Sequence, residues 1–466
     1  MESLLSPPLS FVRSNANRTV LRDVVSQKLC VRCGACKSLC PQNAIEFDEN
    51  NYPRLAKAGG PCIRCAVCSS VCPGKDVPIP RLYREVHHAE YDHENILGVV
   101  DYACLSSSAH EEVRQLGSSG GTVTQLLLTL MRKGIIRKAL LAGNSPSEPW
   151  KGRSFIAQTE AEVLASAQSK YTIIPQLECL DELLDSGDPF ALVGLPCHLH
   201  AFRKLQSLRP EIAANAKLVV GLFCHMNVEM KGTLRLLERA GVTPLDVERI
   251  EYRSGPWPGQ AVAHLRNGEV RPLHGPKDAF TDGTVKYLKL LYYPQRCLLC
   301  MDYSSELADI SVGDPWLRDR NGDYTHPEGH SLTLVRTPQG KRIFDQVLQS
   351  GDIRSLPLSL TECRNAMEGM RRRKKVGAMI RIQSRNRKGL PSPTYHIANS
   401  KSSLADRLRE KQSSMTRILG RSHIGRRAGS LFAFSSLGNV LFRIVRWTKE
   451  RRRMTSSVEP DSSSMT

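Results

Sequence analysis

The sequence predicts an α/β protein with a small cysteine-rich module in front, an α+β region behind and a basic, partly disordered C-terminal tail. Three observations lead there. Eight of the 15 cysteines fall in two matching runs between Cys30 and Pro73. From about residue 98, strand and helix patterns alternate at the length of βα units. The excess of basic side chains is confined to the chain beyond residue 370.

The first run is Cys30, Cys33, Cys36 and Cys40, followed by Pro41; the second is Cys62, Cys65, Cys68 and Cys72, followed by Pro73. Both read C-x2-C-x2-C-x3-C-P, the bacterial ferredoxin pattern for a 4Fe–4S cluster. Three thiolates converge from one tight loop, and the fourth reaches the other cluster. Cluster I is therefore assigned to Cys30, Cys33, Cys36 and Cys72, and cluster II to Cys62, Cys65, Cys68 and Cys40. Zinc sites pair two C-x2-C units across a longer gap and do not repeat this run. Between the runs, Ala44–Phe47 and Tyr52–Leu55 form a hairpin around the turn residues Asp48–Asn51. GKDVPIP then leads out of a ferredoxin module spanning 20–80.

After this module, GSSGGT at Gly117–Thr122 opens a helix with Val123, Leu126, Leu127 and Leu130 on one face. Strands are expected at Ile135–Ala142, Phe155–Gln158, Ala191–Leu195 and Leu218–Phe223, with helices near 160–168, 175–185 and 229–240. This alternation predicts a parallel sheet whose ligand crevice lies beyond the strands' C-terminal ends. Cys197 and Cys224 both fall there. Short strands at Val247–Tyr252, Ala261–Arg266 and Ser331–Arg336 mark the α+β region. The expected boundaries are 95–243 for the α/β domain, 244–395 for the next and 396–466 for the basic extension.

The formal charge is +19 over 466 residues. Arg371 to Arg453 contains 23 Lys and Arg against three acids, and the chain before it is nearly neutral. This removes most of the case for a basic nucleic-acid-binding body, and no nucleic-acid partner is expected. The odd cysteine count and ferredoxin spacing indicate a reducing compartment. No signal peptide and no membrane-spanning run is read from the sequence, so the expected location is cytoplasmic.

Cys297 and Cys300 form a further C-x2-C unit. With Cys197 and Cys224 they make four thiolates, suited to a third 4Fe–4S cluster, to structural zinc, or to buried free thiols. The glycine-rich start at Ser119, Gly120, Gly121 and Thr122 suits a diphosphate-bearing flavin, because backbone N–H groups at a helix start cradle phosphate. It is not G-x-G-x-x-G, and G-G before a helix is often only a turn. Lys170 is a candidate for flavin contact, or else an exposed helix-end lysine. His198, His200 and His225 flank the crevice cysteines as candidate proton donors, or as structural histidines.

GSSGGTVTQLL, SKY at 169–171, GLPC at 194–197, GLFCH at 221–225, YRSGPWPG at 252–259 and RCLLCMDYSSELADISVGDPW at 296–316 occur in this order. In these motifs the chain resembles the family of coenzyme F-420 hydrogenase/dehydrogenase beta subunits, in the branch where a two-cluster ferredoxin comes first. The resemblance covers roughly 25–390. It implies an α/β flavin domain, and an FAD-containing oxidoreductase with a 4Fe–4S cluster beside the flavin. The cluster would fall to Cys197, Cys224, Cys297 and Cys300. The flavin site would include Ser119, Gly120, Gly121, Thr122, Ser169, Lys170 and Tyr171. His198, His225 and Lys170 are the catalytic candidates.

The expected activity couples hydride transfer at FAD, from coenzyme F-420 or a related substrate, to single-electron transfer through the clusters. Two alternatives stand: a ferredoxin-dependent reductase of another organic molecule, such as a chlorophyll-type tetrapyrrole or a biosynthetic intermediate, and a non-catalytic electron-relay subunit. The expected partners are a ferredoxin or another oxidoreductase subunit, and a small hydride donor or acceptor. In the tail, Leu431–Trp447 is apolar and is followed by KERRR. It is a candidate for an anionic membrane surface, or for a helix docked on the body. The RRRKK run at 371–375 reads as a solvated loop.

Overall fold

The computed structural model describes residues 20–211, 214–273, 288–319, 323–398, 402–417, 422–433 and 435. Within the ferredoxin module, β1 (Ile45–Phe47) pairs antiparallel with β2 (Pro53–Leu55). Asp48 makes the turn, its Oδ1 accepting from the N–H groups of Asn50 and Tyr52 at 2.9 and 2.8 Å. Short helices Ala35–Ser38 and Val67–Ser70 carry the third cysteine of each run, Cys36 and Cys68, and the fourth follows each helix. A helix at Ile79–His87 leads into the body.

The body is built on one eight-stranded mixed sheet. It contains β3 (Tyr102–Ser108), β4 (Lys138–Asn144), β5 (Gly152–Ala157), β6 (Phe190–Gly194), β7 (Ala216–Leu222), β11 (Ile310–Gly313), β12 (Ser331–Val335) and β13 (Ile353–Leu358). The order is β13-β3-β12-β11-β7-β6-β4-β5. The centre, β4-β6-β7-β11, is parallel, and the outer pairs are antiparallel. Every residue of β6 (FALVG) is buried, as expected of a parallel strand covered on both faces. The sheet draws strands from both sides of residue 244, so the α/β and α+β regions share one core. Separate from it, β8 (Val247–Ser254), β9 (Gln260–Leu265) and β10 (Val270–Pro272) form a small antiparallel sheet.

The ferredoxin module is fixed to this body by buried charge. Arg32 donates to both Glu229 oxygens at 2.9 and 2.7 Å and lies over the Tyr52 ring. Lys204 Nζ donates to the carbonyls of Cys72 and Asp76 at 2.9 and 2.7 Å. Arg296 does the same for Gly74 and Pro73 at 2.8 and 3.0 Å. Gly34 sits at φ 98°, where a Cβ would lie 2.6 Å from Glu178 N, so only glycine permits this backbone approach.

One expectation is corrected. The RRRKK run is not a solvated loop: Arg372–Val376 is a π-helical turn joining helices Leu360–Arg371 and Gly377–Arg387, and Lys374 and Lys375 are buried. In the extension, expected to be partly disordered, Leu404–Thr416 is a helix whose Glu410 pairs with Arg381 at 2.7 Å. Leu431 and Phe432 are exposed on helix His423–Ala433; most of the apolar stretch to Trp447 lies outside the described residues. No helix among the described residues is long and apolar enough to cross a membrane.

His87 supplies a pH-dependent term. Its Nε2 bonds the Glu306 carbonyl at 2.7 Å, and its Nδ1 is buried without a partner. Burial, with Arg336 and Arg203 nearby, lowers its pKa from 6.5 to about 4. A depressed histidine contributes stability above its unfolded pKa that is lost as pH falls toward the folded one. Thermal unfolding of the iron-replete protein should therefore show a destabilisation between pH 6.5 and 4 that His87→Gln reduces.

Candidate functional site

The two ferredoxin runs share a backbone signature. Arg32 and Gly34 follow Cys30 at left-handed φ of 58° and 98°, and Arg64 and Ala66 follow Cys62 at 55° and 63°. These reversals curl each loop around its own thiols. Cys30, Cys33, Cys36, Cys72 and Cys68 line one cavity. Burial and the neighbouring Cys72 push the Cys30 thiol up to about 12, and burial with neighbouring thiols raises Cys33 and Cys36 as well. Cys68 is pushed up to about 11, chiefly by burial, and its thiol neighbours are Cys72, Cys65 and Cys40. Cys62 stands exposed on the loop after β2. Thiols packed this closely cannot all ionise unless a cationic group neutralises them, so this donor set fits thiolate-ligated metal.

A second set forms beyond the parallel strands. Cys197 lies in the first turn of helix Pro196–Leu208, directly after β6. Cys224 follows β7 and donates its N–H to the Tyr303 carbonyl at 2.8 Å. Cys297 lies on the 3-10 turn Gln295–Leu299, and Cys300 follows it. All four line one cavity with His198, His200, Arg296, Lys374 and Tyr395. Cys30 of the ferredoxin module lines the same cavity. Burial and the other three thiols hold Cys197 well above its usual range, and burial pushes Cys224 up to about 12. Lys374 rises in turn despite its burial, because Cys300, Cys224 and Cys297 surround it. Four sulfur donors beside a buried cation again fit a thiolate-bound metal group.

The long motif after Cys300 is a polar scaffold for this cavity. Asp302 pairs with His200 at 3.1 Å. Glu306 pairs with Lys375. Asp309 accepts from Val219 N at 2.8 Å, Arg203 at 3.1 Å and Thr337 at 3.0 Å. Arg336 donates to the carbonyls of Val99 and Ser304 at 2.8 and 3.0 Å. Spacing gave no hint of Lys374, Lys375, Arg296 or Glu306. Lys374 and Lys375 lie in a basic run that reads as solvent-facing, and Arg296 and Glu306 lie inside the 296–316 motif without a role of their own.

The glycine-rich turn and the SKY segment are adjacent. Ser169 N donates to Ser118 Oγ at 2.7 Å, and Ser118 Oγ lies 3.1 Å from Gln168 Oε1. The side chains expected to meet a flavin are occupied internally, however. Ser119 Oγ bonds Ser331 Oγ at 2.9 Å, and Thr122 Oγ1 bonds Ser106 Oγ at 2.9 Å. A Cβ on Gly120 would lie 2.3 Å from the Ser106 carbonyl, and one on Gly121 2.6 Å from that of Val113. These glycines thus let the turn pack on its own chain. The helix they open has no side-chain cap. Tyr171 packs edge-on to Tyr252.

Two of the catalytic candidates, Lys170 and His198, make hydrogen bonds within the chain. Lys170 Nζ donates to the carbonyls of Ser166, Ala167 and Gln168 at 2.6, 2.6 and 3.1 Å, which uses all three ammonium donors. Burial lowers its pKa to about 8. His198 Nδ1 accepts from Leu195 N at 3.1 Å, making it a helix cap, and burial lowers its pKa to about 3. His225 is held neutral by burial and by Lys289, Arg373, Lys374 and Arg417. Burial thus favours the neutral form of both histidines, and the three Lys170 donors are engaged within the chain.

Family models match three segments: the 4Fe-4S dicluster domain over 29–77, and the coenzyme F-420 hydrogenase/dehydrogenase beta subunit, N-terminal part over 104–181 and C-terminal part over 187–359. The coenzyme F-420-dependent sulfite reductase of Methanocaldococcus jannaschii is 28% identical over 70% of this chain, which spans only 47% of that protein. The coenzyme F-420 hydrogenase subunit beta of Methanothermobacter thermautotrophicus is 27% identical over 64% of this chain and 99% of its own length. The coenzyme F-420 hydrogenase subunit beta of Methanosarcina barkeri is 26% identical over 55% of this chain and 81% of its own length. Among solved structures, a chain of the F-420-reducing [NiFe] hydrogenase complex from Methanosarcina barkeri is similar at a TM-score of 0.49 and 24% identity, over 66% of this chain and 98% of that one. With both halves of the family model matched in order behind the dicluster segment, the chain belongs to the family of coenzyme F-420 hydrogenase/dehydrogenase beta subunits.

Proposed function

We propose that this chain is an iron–sulfur flavoprotein oxidoreductase that couples hydride exchange with coenzyme F-420, or a related organic carrier, to single-electron transfer. Cys30, Cys33, Cys36 and Cys72 would hold one 4Fe–4S cluster, Cys62, Cys65, Cys68 and Cys40 a second, and Cys197, Cys224, Cys297 and Cys300 a third. The observation that carries the reading is the cavity shared by Cys30 and this last quartet. It makes the body's sulfur site the immediate neighbour of the ferredoxin module.

The flavin part of the proposal rests on backbone, since the uncapped helix start at Gly121 offers N–H groups to a diphosphate. A bound flavin would supply the exchange between an electron pair and single electrons, which the clusters would pass on one at a time. The chain's own contribution is placement and charge. Arg32, Lys204 and Arg296 fix the ferredoxin loops to the body. Lys374 sets a buried positive charge against the quartet. Its replacement by Met should lower the third cluster's potential by tens of millivolts, because net charge around a cluster tunes it. Potentiometric titration followed by electron paramagnetic resonance reads this shift. The expected partner is another oxidoreductase subunit or a ferredoxin.

The test is anaerobic mixing of the iron- and flavin-loaded protein with reduced coenzyme F-420 or with NADH. Bleaching of the visible absorbance by reduced F-420 alone supports the proposal. Failure of reduced F-420, together with re-oxidation of the ferredoxin-reduced protein by a tetrapyrrole or other organic acceptor, would replace it with the reductase reading.

A further inference from the structure

Beyond the sulfur sites, one loop gathers metal-type donors. His326, Glu328 and His330 each present one ligand atom, and the three atoms lie within 4.8 Å of one another. Glu328 Oε1 is 3.5 Å from His326 Nδ1 and 3.0 Å from His330 Nδ1. Tetrahedral zinc with bonds near 2.0–2.1 Å puts neighbouring donors roughly 3.3 Å apart. His330 Nδ1 is buried and lacks a hydrogen bond despite the nearby carboxylate. The two atoms are therefore close without being aligned as donor and acceptor. That arrangement suits two ligands turned toward a common cation better than an imidazole–carboxylate hydrogen bond.

The loop is held in place by its neighbours. Arg114 donates to the carbonyls of Glu328 and Gly329 at 3.0 and 3.3 Å. Gly329 adopts φ 83°, and a Cβ there would lie 3.3 Å from both Ser119 O and Trp257 Cβ. Ser331, next after His330, bonds Ser119 Oγ and Gly120 N. The Arg114 charge opposes a cation, and the Glu328 carboxylate offsets it. The side chains of His330 and His326 are 13% and 25% exposed, and that of Glu328 is 49% exposed, leaving an approach for solvent as a fourth ligand.

We propose that His326, Glu328 and His330 form a divalent transition-metal site of the zinc class, pinning the 326–331 loop onto the glycine-rich turn. Imidazole and carboxylate donors select such a cation, and the absence of sulfur among them separates it chemically from the cysteine sites.

The test uses the iron-replete full chain, handled anaerobically so that its cysteines stay engaged. The protein is exchanged into zinc buffer, freed of loose metal and measured for zinc and iron. Zinc K-edge absorption then reads the ligands. The expected result is one retained zinc per chain, with nitrogen and oxygen neighbours at about 2.0–2.2 Å and no sulfur at about 2.3 Å. His330→Ala and the milder, more exposed Glu328→Gln should each weaken zinc retention more than tenfold with iron content unchanged. Equal zinc retention by wild type and Glu328→Gln, no retained zinc in the wild type, or a sulfur shell around the zinc would overturn the proposal.

Discussion

Replacing Cys300 with serine is expected to remove about four of about twelve irons per chain and to leave the ferredoxin clusters intact. The ferredoxin cysteines and the body quartet line two cavities that share Cys30. Deleting one thiol from the quartet leaves three cysteines there, and the other thiol lining that cavity, Cys30, would be taken by the proposed ferredoxin cluster. Dithionite should still reduce the remaining clusters. Electron transfer from an organic hydride donor to an external acceptor should fall by at least a hundredfold, because the route between the two halves is cut. Loss of all irons would mean instead that the substitution unfolds the seam. Retention of all irons would show that the quartet holds no cluster.

Lys375→Met should be the most destabilising single substitution away from the cysteines. Lys375 and Glu306 form an ion pair with side-chain exposures of 0% and 2%. Lys375 Nζ also reaches Tyr91 at 2.9 Å, and Glu306 Oε2 is buried without a partner. Removing the ammonium leaves a buried carboxylate alone, which costs about 3–5 kcal/mol. Replacing both partners, as Lys375→Met with Glu306→Leu, should recover most of that loss. Desolvation already raises Glu306 to about 7, above its ordinary 4.5. A carboxyl so raised contributes stability below about pH 4.5 that is lost as pH rises through the folded value. Without Lys375 the loss should extend to higher pH. Denaturant unfolding of the single and double variants between about pH 5 and 8 measures both effects. Equal stability of Lys375→Met and wild type at the upper end of that range would show that the pair contributes nothing.

The ferredoxin module was legible because its geometry is local. Three cysteines of each run lie within seven residues, and Asp48 makes its own hairpin turn. The quartet was half legible. Strand periodicity put Cys197 and Cys224 at strand ends, whereas Cys297 and Cys300 were joined to them only by their C-x2-C spacing and the family resemblance; the fold brings all four to one cavity. The RRRKK run misled for a physical reason. Whether a lysine is solvated depends on partners far along the chain, here Glu306 for Lys375 and the cysteine quartet for Lys374. The glycine-rich turn stayed open between its two readings. Two glycines before a helix permit close approach equally to a phosphate or to another backbone; the Ser106 and Val113 carbonyls fill the side-chain positions of Gly120 and Gly121, while the helix start itself has no side-chain cap. His198 was read as a candidate proton donor or a structural histidine, and its Nδ1 caps the helix that presents the neighbouring cysteine.

Whether the body holds a third cluster beside the ferredoxin module is decided by anomalous diffraction from anaerobic crystals of the iron-replete chain, collected at the iron and zinc edges. Three iron centres are expected, the third enclosed by Cys197, Cys224, Cys297 and Cys300 and facing Cys30 across the shared cavity. Two iron centres only, or a zinc peak among those four sulfurs, would contradict that arrangement.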